Sequence, residues 1–290
     1  LMEGHCATAL GNARRSMTGR VHGRPLVSDV VKGRIHLERG TLPEGELERV
    51  ALVAQYSSGA EQSRSLSVYL QQLDAAGFLP VLVSTCELDA PLEFPHGLPD
   101  STVILRRPNL GYDFGSWSTG LGVFPQIRRA QRVLLTNDSL LGPFSDISCL
   151  LDWACSPGPD IRAMTMSYQI VRHLQSFFLC FHDGVLEDAA WRVFFNSIRV
   201  EPSKEEVVER YELGLSRHAF EQAYSWDVFV AASDFGTENS NPTIEGWRAL
   251  LEAGIPFVKR TMMTHPDLAD QRPAVARNVK QRFHTDIREW

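Results

Sequence analysis

The sequence predicts an α/β fold with a mostly parallel central sheet and helices on both faces. Three observations predict it. Short apolar runs at 49–56, 79–85, 102–106, 133–135 and 161–166 have the length and composition of strands buried on both faces. A helical stretch separates the first two runs, which is the spacing of a parallel strand–helix–strand crossover. The central run, Val133, Leu134 and Leu135, stops abruptly at four polar residues, Thr136, Asn137, Asp138 and Ser139. In open α/β sheets, ligands bind just past the carboxyl ends of the strands.

A chain of 290 residues is long enough for one large domain, or one domain with an appendage. Its 43% apolar and 22% charged content are ordinary for a globular protein, and its net charge of -6 argues against nucleic acid as a partner. The charge is unevenly spread, because residues 1–40 hold seven Lys and Arg against three acids. Residues 1–48 therefore read as a basic N-terminal extension, a linker from an upstream transferase domain, or a patch touching acidic lipid. The ordered domain is expected over 49–290. The five cysteines are too scattered for a disulfide framework or a zinc site, which points to reduced, mostly buried thiols. With no membrane-length apolar run and no signal-peptide core, the expected location is the cytoplasm, including the inner face of the cytoplasmic membrane.

The elements follow in order. After the first strand, residues 63–77 form a helix with Leu66, Leu70 and Leu73 on one face and Gly77 as its C-cap. The third strand, 102–106, runs into a loop where Asn109, Gly111, Asp113 and Gly115 alternate with bulkier residues. Glycines there let backbone approach a ligand, and the helix start that follows offers free N–H groups to an anion. A tight turn is the competing reading, and no Walker or dinucleotide spacing is present. Asp138, at the end of the central strand, suits a hard cation or a hydroxylated ligand. An Asx-turn by Asn137 or Asp138 fits the residues equally well.

Beyond the centre, 161–166 and 174–181 read as strands. His173 and Gln175 would face the same side of an extended segment. Residues 187–197 form a helix with Trp191, Phe194 and Phe195 inward. Ser203 and Glu206 make a capping box for a helix that ends at Glu212 and is broken by Gly214. Glu212 adjoins Leu213 and Leu215, an unusual setting for a solvating carboxylate. A helix over 217–224, a polar loop over 233–241, a helix through Leu251, a strand over 255–260 and a polar, peripheral tail from Asp267 complete the reading.

Five stretches taken together resemble the rhamnan synthesis F family: 107–116 and 135–143 as core motifs, then 173–178, 211–216 and 255–260 in the same order. The resemblance implies a Rossmann-like GT-A glycosyltransferase fold and a role in building bacterial surface polysaccharide, such as capsule, O-antigen or cell-wall glycan. It implies an inverting transfer of a sugar from a nucleotide-sugar donor to a glycan or lipid-linked glycan acceptor; rhamnose from dTDP-rhamnose is expected, although the resemblance does not fix the sugar. Enzymes of this fold hold a divalent metal, Mg or Mn, with an Asp-x-Asp motif. Asn137-Asp138-Ser139 offers only one carboxylate at the matching place, so either Asp138 holds the ion with help from His265, or it hydrogen-bonds the sugar or ribose without a metal. Gln55 and Tyr56 fall where the base would lie; Asn109, Gly111 and Asp113, with Asn137 and Ser139, would line the nucleotide-sugar. Glu212 is the first candidate for the base that deprotonates the acceptor, His173 the second, and Gln175 is an acceptor contact. The single carboxylate also supports an alternative, a non-catalytic domain that keeps the fold and binds glycan or a partner.

Overall fold

A computed structural model describes residues 23–231 and 241–290. The predicted polar loop at 233–241 lies, but for Asn241, outside the described residues, as do residues 1–22. The strands are β1 (His36–Arg39), β2 (Arg49–Gln55), β3 (Leu79–Ser84), β4 (Val103–Arg106), β5 (Arg132–Asn137), β6 (Leu140–Leu141), β7 (Ile161–Ser167), β8 (His173–Leu174), β9 (Phe178–His182), β10 (Trp226–Val230) and β11 (Val258–Lys259). The main sheet has the order β1-β4-β3-β2-β5-β9-β7-β10, with β8 pairing on β7. Strands β2, β3, β4, β5, β7 and β10 share one direction, while β1, β8 and β9 run against them. This is the mostly parallel sheet that the apolar runs predict.

Side chains along each strand alternate between two apolar layers, as the two-residue period of a strand requires. On β2, Val50, Leu52 and Ala54 face one layer, and Ala51 and Val53 the other. The first layer is covered by α1 (Val27–Val31) and others, the second by α2 (Arg64–Ala75). The first layer also receives α3 (Tyr112–Val123), through Phe114, Trp117 and Leu121; the second receives α4 (Ser148–Cys155), through Leu150, Leu151 and Ala154. Trp191 and Phe195 of α5 (Ala189–Asn196) complete the first layer. Helices therefore cover both faces.

Four expectations are corrected. Residues 27–39 belong to the domain rather than to an extension. Val27 and Val31 are buried in the first layer, and β1 pairs antiparallel with β4. Arg24 forms ion pairs with Glu201 and Glu206, and Glu38 with Arg106, so these charges are not a solvated arm. Gly214 does not break a helix: α6 (Lys204–Val207) passes through a π turn (Val208–Glu212) into α7 (Leu213–Glu221), and Gly214 is buried within it. The predicted strand 174–181 is two, β8 and β9, because 175–177 leave the ladder. The tail is not peripheral either: Val275 and Val279 of a helix over Arg272–Phe283, with Ile287, enter a third apolar cluster with Leu141, Phe144 and Trp247. Of the cysteines described, all free, only Cys180 is fully buried and Cys149 is exposed.

Candidate active site

The site forms where β2 and β5 end side by side. The register continues past the strands, since the Asp138 N–H donates to Ala54 O at 3.2 Å and the Tyr56 N–H donates to Asp138 Oδ2 at 3.3 Å. Below it, Trp117 Nε1 donates to Thr136 O, and Thr136 Oγ1 bonds Phe177 O and Tyr69. These bonds fix the strand end from three neighbouring elements.

Asn137 makes the Asx-turn, accepting from Ser139 N at 3.1 Å and Ser139 Oγ at 2.6 Å. Its amide also donates to Asp113 Oδ2 at 2.8 Å. The Asx-turn is therefore made by Asn137, and the Asp138 side chain, outside that turn, accepts only from Tyr56 N–H among its described side-chain bonds. Asn137 also brings Asp113, at the start of α3, to the same place. Burial raises both carboxyls, Asp113 to about 6 and Asp138 to about 7. For Asp138, the neighbouring Asp113 charge adds to burial, and Arg260 opposes it. Asp113, the lower of the two, ionises first, and its charge then holds the Asp138 proton. Both side chains keep some solvent contact at the mouth of a densely packed recess.

The glycines of the loop serve packing. Gly111 is left-handed (φ 76°), and a Cβ there would lie 2.7 Å from Val27 Cγ2. A Cβ on Gly115 would stand 2.5 Å from Leu110 O. Chain neighbours, rather than a ligand, occupy these spaces. Arg107 is spent in the same loop on Ser116 Oγ and Leu110 O. Asn109 is exposed on the loop.

Glu212 closes the π turn, a local widening of the helix often found at functional sites. Tyr211 beside it stacks near Phe114 at 5.7 Å and donates to Glu201 Oε1 at 2.8 Å, which anchors the turn against α3. Glu212 Oε1 accepts from Ser176 N at 3.0 Å. Its charge raises Asp113 slightly and supports the protonated form of Lys259. Lys259 arrives on β11, paired with Leu140 of β6, and Arg260 follows it, donating through N–H to Ser139 O and through Nη2 to Asp138 O.

Other candidates have different places. Gln55 is buried, its amide used by Ser84 Oγ and Gln62 Oε1, so it orders the strand end and offers no free group to a base. The Tyr56 ring is half exposed at the mouth, its hydroxyl on Glu87 at 2.7 Å. His173 Nδ1 bonds Val171 O at 2.8 Å and must carry the hydrogen, since a carbonyl only accepts. Gln175 is buried between Thr165 Oγ1 and Asn241 Oδ1. His265 caps a 3-10 turn, with Nδ1 accepting from Asp267 N, and no described contact joins it to Asp138. The carboxylate that the structure brings beside Asn137 and Asp138 is Asp113. Among the described residues, no cluster of three or more His, Cys, Asp or Glu is placed to hold a metal.

Lys259 and Arg260, which β11 sets beside the end of the central strand, are not among the residues that the sequence singles out. A lysine closing the apolar run Ile255-Pro-Phe-Val was the available signal, because a solvated strand end has no need of such a lead-in.

Residues 98–287 match the family model described as rhamnan synthesis protein F. The chain belongs to this family. Membership ties it to polysaccharide synthesis, and the matched span holds Asp113, Asp138, Glu212 and Lys259, while Gln55 and Tyr56 precede it. Two curated proteins are also similar. Virulence protein VirA of Vibrio anguillarum is 28% identical over 193 residues, covering 56% of this chain and 62% of its own length. The uncharacterized protein y4gN of Sinorhizobium fredii is 23% identical over 155 residues, covering 52% and 40% respectively. This rhamnan synthesis F chain thus spans less than two thirds of either relative. Among its described residues, no helix is long and apolar enough to cross a membrane.

Proposed function

We propose that the protein is an inverting glycosyltransferase that moves a sugar, rhamnose from dTDP-rhamnose, to a glycan or lipid-linked glycan acceptor. The GT-A reading of the fold belongs to this proposal. The observation that carries it is the end of the central strand itself, where Asn137 holds Asp113 beside Asp138, β11 lays Lys259 against Leu140, and Ser176 N–H, just before Phe177, fixes Glu212.

In this reading the nucleotide enters over Tyr56, whose exposed ring offers a stacking surface for the base. Asp138 and Asp113 face the diphosphate. Two carboxylates with substrate phosphates and water are the donor set that Mg²⁺ takes, so these residues fit a divalent cation better than Asp138 with His265 does. Such a cation, when bound, neutralises the departing diphosphate. Glu212 has one oxygen engaged by Ser176 N–H and the other available to the acceptor hydroxyl. Glu212 takes the proton as the acceptor oxygen bonds the anomeric carbon and the carbon–oxygen bond to the diphosphate breaks with its electron pair. The transition state has oxocarbenium character, which adjacent carboxylates favour.

The reading of a non-catalytic domain rested on a single carboxylate, and Asp113 supplies a second. The test is transfer, or slow donor hydrolysis, measured with dTDP-rhamnose for the native chain and Glu212→Gln. A loss of about 10²–10⁴-fold in the variant, with an unchanged melting temperature, supports the proposal. Glycan binding with no turnover of any nucleotide-sugar supports the alternative.

A further inference from the structure

We infer that Lys259 is a catalytic residue that grips the donor's diphosphate through its ammonium group, an inference that rests on the transferase reading above. β11 places it. The ladder pairs Val258 with Leu141 and Lys259 with Leu140, two residues past Asp138, and the Arg260 N–H on Ser139 O locks the register at 2.8 Å. An apolar wall, including Phe177, Trp247 and Phe257, leaves beside it a small cavity of about 10 Å³ and no room for the side chain to retreat.

The chemistry around Lys259 is unusual for a structural lysine. Its ammonium makes no hydrogen bond or ion pair among the described residues, yet it lies in the field of Glu212 and Asp113. Desolvation, with the like charge of Lys204, outweighs both and lowers its proton affinity. Lys259 is half-buried and unpaired, whereas a lysine kept only for its stem would extend fully to solvent or pair. The other cations of the recess are occupied: Arg107 bonds Ser116 and Leu110 O, and Arg260 bonds Asp138 O. Lys204, though its charge reaches Asp113, is exposed at the start of α6, so Lys259, placed by β11 two residues past Asp138, is the uncommitted cation that the fold holds in place, with three N–H donors.

A diphosphate satisfies what the site lacks. Its oxygens accept the ammonium donors, and its charge makes protonated Lys259 favourable again. In the transfer step the acceptor's O–H proton passes to Glu212 and the new carbon–oxygen bond forms. The broken bond's electron pair goes to the diphosphate oxygen, where Lys259 stabilises it and keeps its own proton.

The experiment is calorimetric titration of inorganic pyrophosphate into the full chain in EDTA, repeated with Lys259→Met and Lys259→Arg. The native chain and Lys259→Arg should bind within about threefold of each other, and Lys259→Met about tenfold or more weakly. Lys259→Met should melt at or above the native temperature, which excludes misfolding as the cause. Equal binding by Lys259→Met, or no binding by the native chain, overturns the inference. A parallel arm with dTDP, UDP and GDP tests the transferase reading separately: if none binds while pyrophosphate binds through Lys259, that reading and the lysine's catalytic role fail, and only its diphosphate contact stands.

Discussion

Asn137 donates its side-chain amide to Asp113 at 2.8 Å, and so ties the end of the central strand to the first turn of the helix that follows β4. The same side chain accepts twice from Ser139. One asparagine thus builds the turn, orients Asp113 and leaves Asp138 free. Replacing it with alanine should cost about 1–2 kcal/mol, from lost hydrogen bonds to a charged partner and to the turn. It should also raise the Asp113 titration further, because that bond holds it down. Carboxyl NMR titration and urea unfolding measure both effects.

Asp138 should destabilise the fold at neutral pH. Its folded value of about 7 lies above the ordinary 3.8, so the folded state binds the proton more tightly. That contribution is complete below about pH 4 and is lost as pH rises through about 7. Asn does not titrate, so Asp138→Asn should match the native melting point near pH 4 and exceed it at pH 8. After allowance for residual solvent contact, the gain should be about 1–2 kcal/mol. Melting curves across pH 4–8 check the sign.

Gly115 admits no side chain. Its added Cβ would meet Leu110 O at 2.5 Å, a backbone atom that cannot swing away. Gly115→Ala should lower stability by about 1–3 kcal/mol and displace the start of α3, and Asp113 with it. Gly122, on the same helix with open space around it, is the control, and Gly122→Ala should be neutral or stabilising. Chemical denaturation of the two variants makes the comparison.

Val27 tests the membership of the N-terminal segment in the domain. It fills the space beside Gly111 and is fully buried. Val27→Ala should cost about 1–3 kcal/mol, whereas a solvated arm would tolerate it. Equilibrium unfolding separates the two.

The parallel strands were legible because burial on both faces demands continuous apolar runs, and Val50 to Ala54 or Val133 to Leu135 have no other economical use. Asp138 was legible because four polar residues end such a run. The N-terminal contribution was not, since α1 places only Val27 and Val31 in the core and their complement is a glycine far along the chain. β10 was missed because Trp226–Val230 is a half-exposed edge strand with a charged residue inside it. Gly214 read as a stop because helix propensity ignores packing, and burial against the sheet overrides it. Asp113 is named among the residues lining the nucleotide-sugar, but its place beside Asp138 depends on a long-range hydrogen bond from Asn137 that no spacing encodes.

The most direct test of the central claim is a thermal-shift titration of the native chain and Asp138→Asn with dTDP-rhamnose, UDP-sugars and GDP-sugars, each with Mg²⁺, with Mn²⁺ and with EDTA. A ligand that binds only the folded state must raise its melting point. The account predicts a saturable rise with one nucleotide class for the native chain, strongly reduced in Asp138→Asn. No rise with any nucleotide-sugar in a folded sample, or an equal rise in both proteins, would contradict it.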